Sequence, residues 1–101
     1  MRNHTSNDNG ILNITLSDRL TFEDHEAFRR LLTLIEQRSS LRCVIDLKNV
    51  TAIDSAGLGL LMIAFETAEK AGVEFCLKSP EGQVARLLEI SEFDKVMTIL
   101  N

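Results

Sequence analysis

No stretch of this chain stays apolar for the roughly 18 residues that a bilayer-spanning helix needs. Residues 1–10 are polar where a secretory leader would carry its apolar centre. Both absences lead us to expect a cytoplasmic protein with no membrane partner. A basic surplus is missing too: 11 Lys and Arg stand against 15 Asp and Glu, for a formal net charge of -4. That balance offers nothing to attract nucleic acid or an anionic lipid surface, so the partner to expect is another protein. Cysteine is scarce. Cys43 and Cys76 both fall inside expected strands, with no second Cys or His at metal-ligand spacing, and read as reduced core residues. Asn3, Asn13 and Asn49 each open an Asn-X-Ser/Thr triplet, which carries no meaning in a chain without a secretory signal.

The groups that do chemistry are also few. His4 sits in the polar first decapeptide and His25 near an expected helix start, where it reads as a solvated helix residue. Asp46 and Asp54 flank one strand-to-helix connection, but two carboxylates are a thin ligand set for Mg²⁺. The Gly57-Leu58-Gly59 pair lacks the third glycine of a dinucleotide fingerprint, and no Walker-type lysine follows it. We therefore expect no metal, no cofactor and no catalysis by this chain, which reads as a substrate of another enzyme.

What is present is an ordinary globular composition, 45% hydrophobic and 26% charged over 101 residues, enough for one domain with one core. Residues 1–10 hold one apolar side chain, Met1, and are expected to form a flexible tail ahead of a folded domain at 11–101. From Ile11 the pattern alternates, with Leu12, Ile14 and Leu16 against Asn13 and Thr15, as in a half-buried strand. Ser17 and Asp18 are expected to turn the chain into a short extended segment at 19–22. Phe28, Leu31, Leu32 and Ile35 then recur at helical spacing, and Thr21 with Asp24 resembles a capping box, so a helix is expected over 23–37. Ser39 and Ser40 mark a connection. The run at 41–47 has the density of a central strand covered on both faces. A second helix, 55–71, carries Leu58, Leu61, Met62 and Phe65 and closes at Gly72, which suits a left-handed position. Val73, Phe75 and Leu77 alternate in a further strand. Ser79-Pro80 supplies an expected N-cap and first-turn proline for a third helix bearing Val84, Leu87 and Leu88, and 96–100 forms a last short strand. The alternation of strands and helices predicts an α/β fold with a mixed, mainly parallel sheet whose first strand is a candidate to run antiparallel.

The informative junction lies between the central strand and the second helix, at Asp54-Ser55-Ala56-Gly57-Leu58. A hydroxyl beside a carboxylate at a helix N-terminus stands where unpaired amides and the positive end of the helix dipole receive added negative charge. A phosphate on Ser55 would bring about -1.5 to -2 charges without unfolding the helix, and would repel whatever docks on the neutral form. The spacing fits a phosphoserine switch as well as a plain N-cap. Ala56 and Gly57 keep the turn small, which leaves the backbone open to a partner, and Leu58 with Leu61 are candidates to supply apolar contact.

The string Val44-Ile45-Asp46-Leu47, followed by Asn49 through Leu61, closely resembles the STAS domain family of bacterial anti-sigma factor antagonists, and the resemblance extends over about residues 11–100. It implies a STAS-like fold and a partner-switching role. In such proteins the serine after the aspartate is phosphorylated by a partner that is both anti-sigma factor and serine kinase, and a serine phosphatase resets it. That position is Ser55, with Asp54, Ala56, Gly57, Leu58, Leu61 and Thr21 as the implied docking residues. Ala56 replaces a frequent second hydroxyl, which leaves Ser55 as the single acceptor at the turn. The segment from Arg19 to Phe22 is similar to that of a single-domain subgroup acting in biofilm and surface-attachment pathways. Relatives often add a C-terminal helix beyond the position of Asn101, so a face is expected to be open to a partner or to weak dimerisation. A different role is carried by STAS subunits of lipid-trafficking ABC transporters, which resemble this chain and dock on an ATPase without phosphorylation.

Overall fold

A computed structural model describes residues 1–37 and 40–101. The expected connection residue Ser39 lies outside the described residues. In chain order the elements are β1 (Arg2–Asp8), β2 (Ile11–Leu20), α1 (His25–Glu36), β3 (Arg42–Ile53), α2 (Ser55–Ala71), β4 (Glu74–Lys78), α3 (Gly82–Ile90) and β5 (Thr98–Leu100), with short 3-10 turns at Phe22–Asp24 and Phe93–Lys95. The five strands form one sheet in sequence order. β1 pairs antiparallel with β2, and every other neighbour is parallel. Strands added in chain order through right-handed crossovers place α1, α2 and α3 on the same face. Leu12, Ile14 and Leu16 of β2, Cys43, Ile45 and Leu47 of β3, and Phe75 and Leu77 of β4 meet Phe28, Leu31, Leu61, Ala64, Val84 and Leu88 of the helices in one cluster. The mixed, mainly parallel sheet packed against helices is the predicted fold.

Five local expectations change. Residues 2–8 pair in full register with β2, from Arg2 opposite Ser17 to Asp8 opposite Ile11, through the Asn9-Gly10 turn, where both residues have positive φ. An edge strand needs only backbone partners. Met1 packs on the core, and Arg2 reaches Asp18 at 2.9 Å. The antiparallel strand is therefore this one, while β2 runs parallel to β3. Ser17 and Asp18 do not end β2: the strand bulges there, with Asp18 at φ 69°, and resumes to Leu20. β3 is covered on one face only, since Val44 and Asp46 on the other face are half-buried. Ser79 and Pro80 precede α3 instead of opening it: Ser79 has φ 54°, and Glu81 is the N-cap.

The expected helices are in place. Thr21 and Asp24 form the capping box, with the Asp24 carboxylate accepting from Thr21 N–H at 2.8 Å. Gly72 ends α2 at φ 73°. No helix of the described residues is long and apolar enough to cross a membrane.

Candidate functional site

β3 outruns β4: their pairing ends at Asp46 opposite Lys78, and β3 continues alone beside β2 to Ile53. The chain then breaks into α2 at Asp54, whose backbone is extended at φ -107°, ψ -178°. Asp54 ties three segments together. Its N–H donates to the Leu20 carbonyl at the end of β2 (3.4 Å), its Oδ1 accepts from Gly57 N–H (2.8 Å), and its Oδ2 accepts from Phe22 N–H (3.4 Å). Its carbonyl accepts from Leu58 N–H at 3.0 Å. The carboxylate is thus an N-cap for α2 and a strap on the loop before α1. Ser55, the first residue of α2, is exposed. Among the described residues its hydroxyl has no hydrogen-bond partner, and neither do the amides of Ser55 and Ala56. A helix start with free amides and an accessible oxygen accepts negative charge at that oxygen with favourable dipole interaction.

The docking residues named from the sequence divide. Asp54 and Ser55 are exposed, Ala56 and Leu58 half-buried. Thr21 is half-buried next to Phe22, whose amide the Asp54 carboxylate holds, so its loop does join the site. Leu61 is fully buried, a core residue with no surface to offer. Gly57 is also buried, and its smallness has an internal cause: a Cβ there would lie 2.3 Å from the Leu20 carbonyl oxygen and 2.6 Å from Ile53 Cγ1. α2 approaches the ends of β2 and β3 this closely because position 57 has no side chain.

The sequence reading missed an apolar groove of about 160 Å³ next to Ser55, lined by Phe22, His25, Ala56, Gly59, Leu60 and Ile63. Phe22 is 74% exposed and Ile63 44%. The readable signal was Gly59, a glycine inside the expected helix, and in the structure an added Cβ there meets nothing within 4 Å. A glycine inside a helix costs about 0.5–1 kcal/mol relative to alanine, and nothing in this chain's packing requires it.

Electrostatics around the site are set by short contacts. Burial alone would raise the Asp24 carboxyl, but a 2.8 Å ion pair with the Met1 α-amino group and the bond from Thr21 N–H outweigh it and hold its pKa below the usual value. Burial pushes the Cys43 thiol up to about 12, with Cys76 adding a smaller push, and Cys76 is itself raised by burial. Both thiols are free and buried, but only Cys43 belongs to the core cluster; Cys76 alternates with the core-facing Phe75 and Leu77 and lies on the other face of β4. Asp46 and Asp54 do not converge: Asp46 Oδ1 accepts from Lys48 N–H at 2.9 Å, and among the described residues no group of three His, Cys, Asp or Glu is placed to hold a metal ion.

Comparison with known proteins fits this geometry. The STAS domain model matches residues 4–101. A STAS-domain containing protein of Pseudomonas aeruginosa is 30% identical over 88 residues, covering 87% of this chain and 86% of the relative. An anti-sigma F factor antagonist of Paenibacillus polymyxa is 30% identical over 91 residues, covering 89% and 78%. In fold, the crystal structure of a putative anti-sigma factor antagonist from Thermotoga maritima superposes with a TM-score of 0.89 at 20% identity, over 98% of this chain and 86% of that one. With the family model spanning nearly all of the sheet and its three helices, this chain belongs to the STAS domain family.

Proposed function

We propose that this protein is an anti-sigma factor antagonist, and that Ser55 is the residue through which phosphorylation controls its docking. Its partner in this reading is a cytoplasmic anti-sigma factor that is also a serine kinase, and a serine phosphatase restores the free hydroxyl. The observation that carries the reading is an exposed, unpartnered Ser55 hydroxyl at the first turn of α2, beside a carboxylate already committed to two backbone amides and beside an apolar groove.

The chemistry follows from that arrangement. The unmodified turn presents a neutral hydroxyl next to Phe22, Ala56 and Ile63, a surface on which an apolar side chain of a partner can be buried. A phosphate at Ser55 finds free amides and the helix dipole on its own chain, so α2 need not unfold. Together with Asp54 it raises the local charge to about -3, and a partner fitted to the neutral turn meets like-charge repulsion and the desolvation of a dianion. This chain contributes the acceptor oxygen and its orientation, while the nucleotide and the phosphoryl-transfer machinery belong to the kinase.

The test is phosphosite mapping after incubation with a candidate kinase and ATP, with binding measured in parallel on Ser55→Ala and Ser55→Asp. Ser55 should carry the phosphate, Ser55→Ala should bind as the wild type, and Ser55→Asp should lose binding. A second reading, the constitutive adaptor subunit of a lipid-trafficking ABC transporter, draws on Ala56 in the Asp-Ser-Ala-Gly-Leu string. An unmodified Ser55 together with charge-insensitive binding to an ABC-type ATPase would replace the switch with that adaptor.

A further inference from the structure

The overhang of β3 leaves a strand edge without a strand. Beyond Asp46 there is no β4 residue for β3 to pair with, and yet Ile53, the last residue before Asp54, is bonded on that open side. The Gln83 side chain lies along it: Ile53 N–H donates to Gln83 Oε1 at 3.0 Å, and Gln83 Nε2 donates to the Ile53 carbonyl at 3.0 Å. The next residue's N–H points the other way, from Asp54 to the Leu20 carbonyl. The primary amide of Gln83 therefore stands in for the missing neighbouring strand, offering one donor and one acceptor in the geometry of a peptide group.

We infer that Gln83 is a positioning residue for the Asp54–Ser55 turn, and that through it α3 holds the start of α2 in place. Three features support this. The pair is bidentate and spans 30 residues of sequence, so it joins two elements that no strand pairing connects at this end. Gln83 sits in the first turn of α3, directly after Gly82 at φ 56° and the extended Glu81, so its direction is fixed by the entry of the helix. Ile53 in turn lies against Gly57, where an added Cβ would be 2.6 Å from Ile53 Cγ1, so a shift of Ile53 is felt at the turn that carries Ser55. Reach and chemistry together single out glutamine among the near alternatives at position 83. Asparagine is one methylene shorter, glutamate keeps the acceptor but sets a charge against the Ile53 carbonyl, and methionine keeps the length without either bond. The consequence for docking rests on the proposed role of Ser55, whereas the geometric role of Gln83 does not.

The experiment compares wild type with Gln83→Met and Gln83→Glu. Amide hydrogen exchange and ¹⁵N shifts are read by NMR, and phosphate transfer to Ser55 from a candidate kinase is read alongside thermal stability. Exchange at the Ile53 amide should quicken about tenfold in Gln83→Met, the loss expected for one part-buried hydrogen bond, and by less in Gln83→Glu, which keeps the acceptor for that amide. The amides of Ile14 and Ile45, in the paired part of the sheet, should stay as slow as in wild type. Shifts should move at Asp54, Ser55 and Gly57. Unchanged Ile53 exchange in Gln83→Met, or equal acceleration throughout the sheet, overturns the positioning role. Phosphate transfer should slow severalfold in Gln83→Met beyond what its change in melting temperature predicts, and an unaltered rate overturns the coupling to docking. Should the wild type take no phosphate, the proposed function fails, and the exchange data still decide the role of Gln83.

Discussion

Two glycines in the same helix, two residues apart, should respond to alanine with opposite signs. At Gly57 the added methyl would sit 2.3 Å from the Leu20 carbonyl oxygen and 2.6 Å from Ile53 Cγ1. The first of these is backbone, and that backbone is fixed twice: Leu20 pairs with Ile53 across the sheet, and its carbonyl accepts from Asp54 N–H. Relief requires α2 to lift by about 1 Å from its support, which opens the Asp54–Phe22 and Asp54–Leu20 bonds, both already at 3.4 Å. Overpacking of this kind costs about 1–3 kcal/mol, and the gain from replacing a helical glycine by alanine returns only about 0.5–1 kcal/mol. Gly57→Ala should be destabilised by about 1.25 kcal/mol net at the midpoints of those ranges, a fall in melting temperature of roughly 5–10 °C at the usual sensitivity of a small domain. At Gly59 an added methyl meets nothing within 4 Å, so only the propensity gain remains and Gly59→Ala should be more stable by about 0.5–1 kcal/mol. Urea unfolding of the three proteins, with m held constant, is the assay. A Gly57→Ala midpoint at or above wild type would refute the close-approach argument, and equal shifts in the two variants would show that helix propensity alone governs both sites. Because Gly59 lines the groove next to Ser55, Gly59→Ala should also weaken partner binding while raising stability.

Asp54→Ala removes the N-cap of α2 and should cost about 0.5–2 kcal/mol in urea unfolding, with Asp54→Asn keeping most of it; equal losses would mean that the carboxylate's charge, not its acceptor geometry, is what the cap requires. Neither Cys43 nor Cys76 should react with a thiol reagent at about pH 8 until urea unfolds the chain, since burial raises both thiols and Cys43 to about 12; a fast native-state phase would contradict the enclosure of the two side chains. Against the upward push of burial, the ion pair with the Met1 α-amino group and the bond from Thr21 N–H hold the Asp24 carboxyl below the usual carboxylate pKa, so its contribution is fully present above the unfolded value and is lost as pH falls through the folded one. The stability difference between wild type and Asp24→Asn should therefore be largest near neutral pH and shrink under acid; a difference independent of pH would place the effect in shape and not in charge.

How far the fold could be read from the chain depended on where apolar side chains mark an element. α1 was legible because Phe28, Leu31 and Ile35 are large, helically spaced and buried. α2 was located correctly, but its buried stripe was misjudged. Gly57, Leu60, Leu61, Ala64 and Ala68 face the core, while Leu58, Met62 and Phe65 are half-buried at its margin. A reading weighted by side-chain size looks away from small residues, and small residues are what a helix needs where it lies close to a sheet. β1 left no trace of this kind at all. Its seven residues are polar, six of them exposed, and it is held by backbone pairing that every sequence can make.

The site divides along the same line. The Asp54-Ser55 turn was readable because capping chemistry is local: acceptor, amide and helix start lie within three residues of one another. The groove is built from residues 31 or more apart in sequence, Phe22 and His25 against the face of α2 that begins at Ala56, and no local pattern announces that they meet. Gln83 is hidden more completely, since a glutamine in the first turn of a helix looks like any solvated residue until β3 is seen to overrun β4. What joins these features is the break from strand to helix after Ile53. There one carboxylate holds the loop before α1, one glycine lets α2 close on the sheet, and one side-chain amide fills the place of an absent strand. All three constraints converge within five residues, 53–57, and the one side chain there that they leave uncommitted and exposed is Ser55.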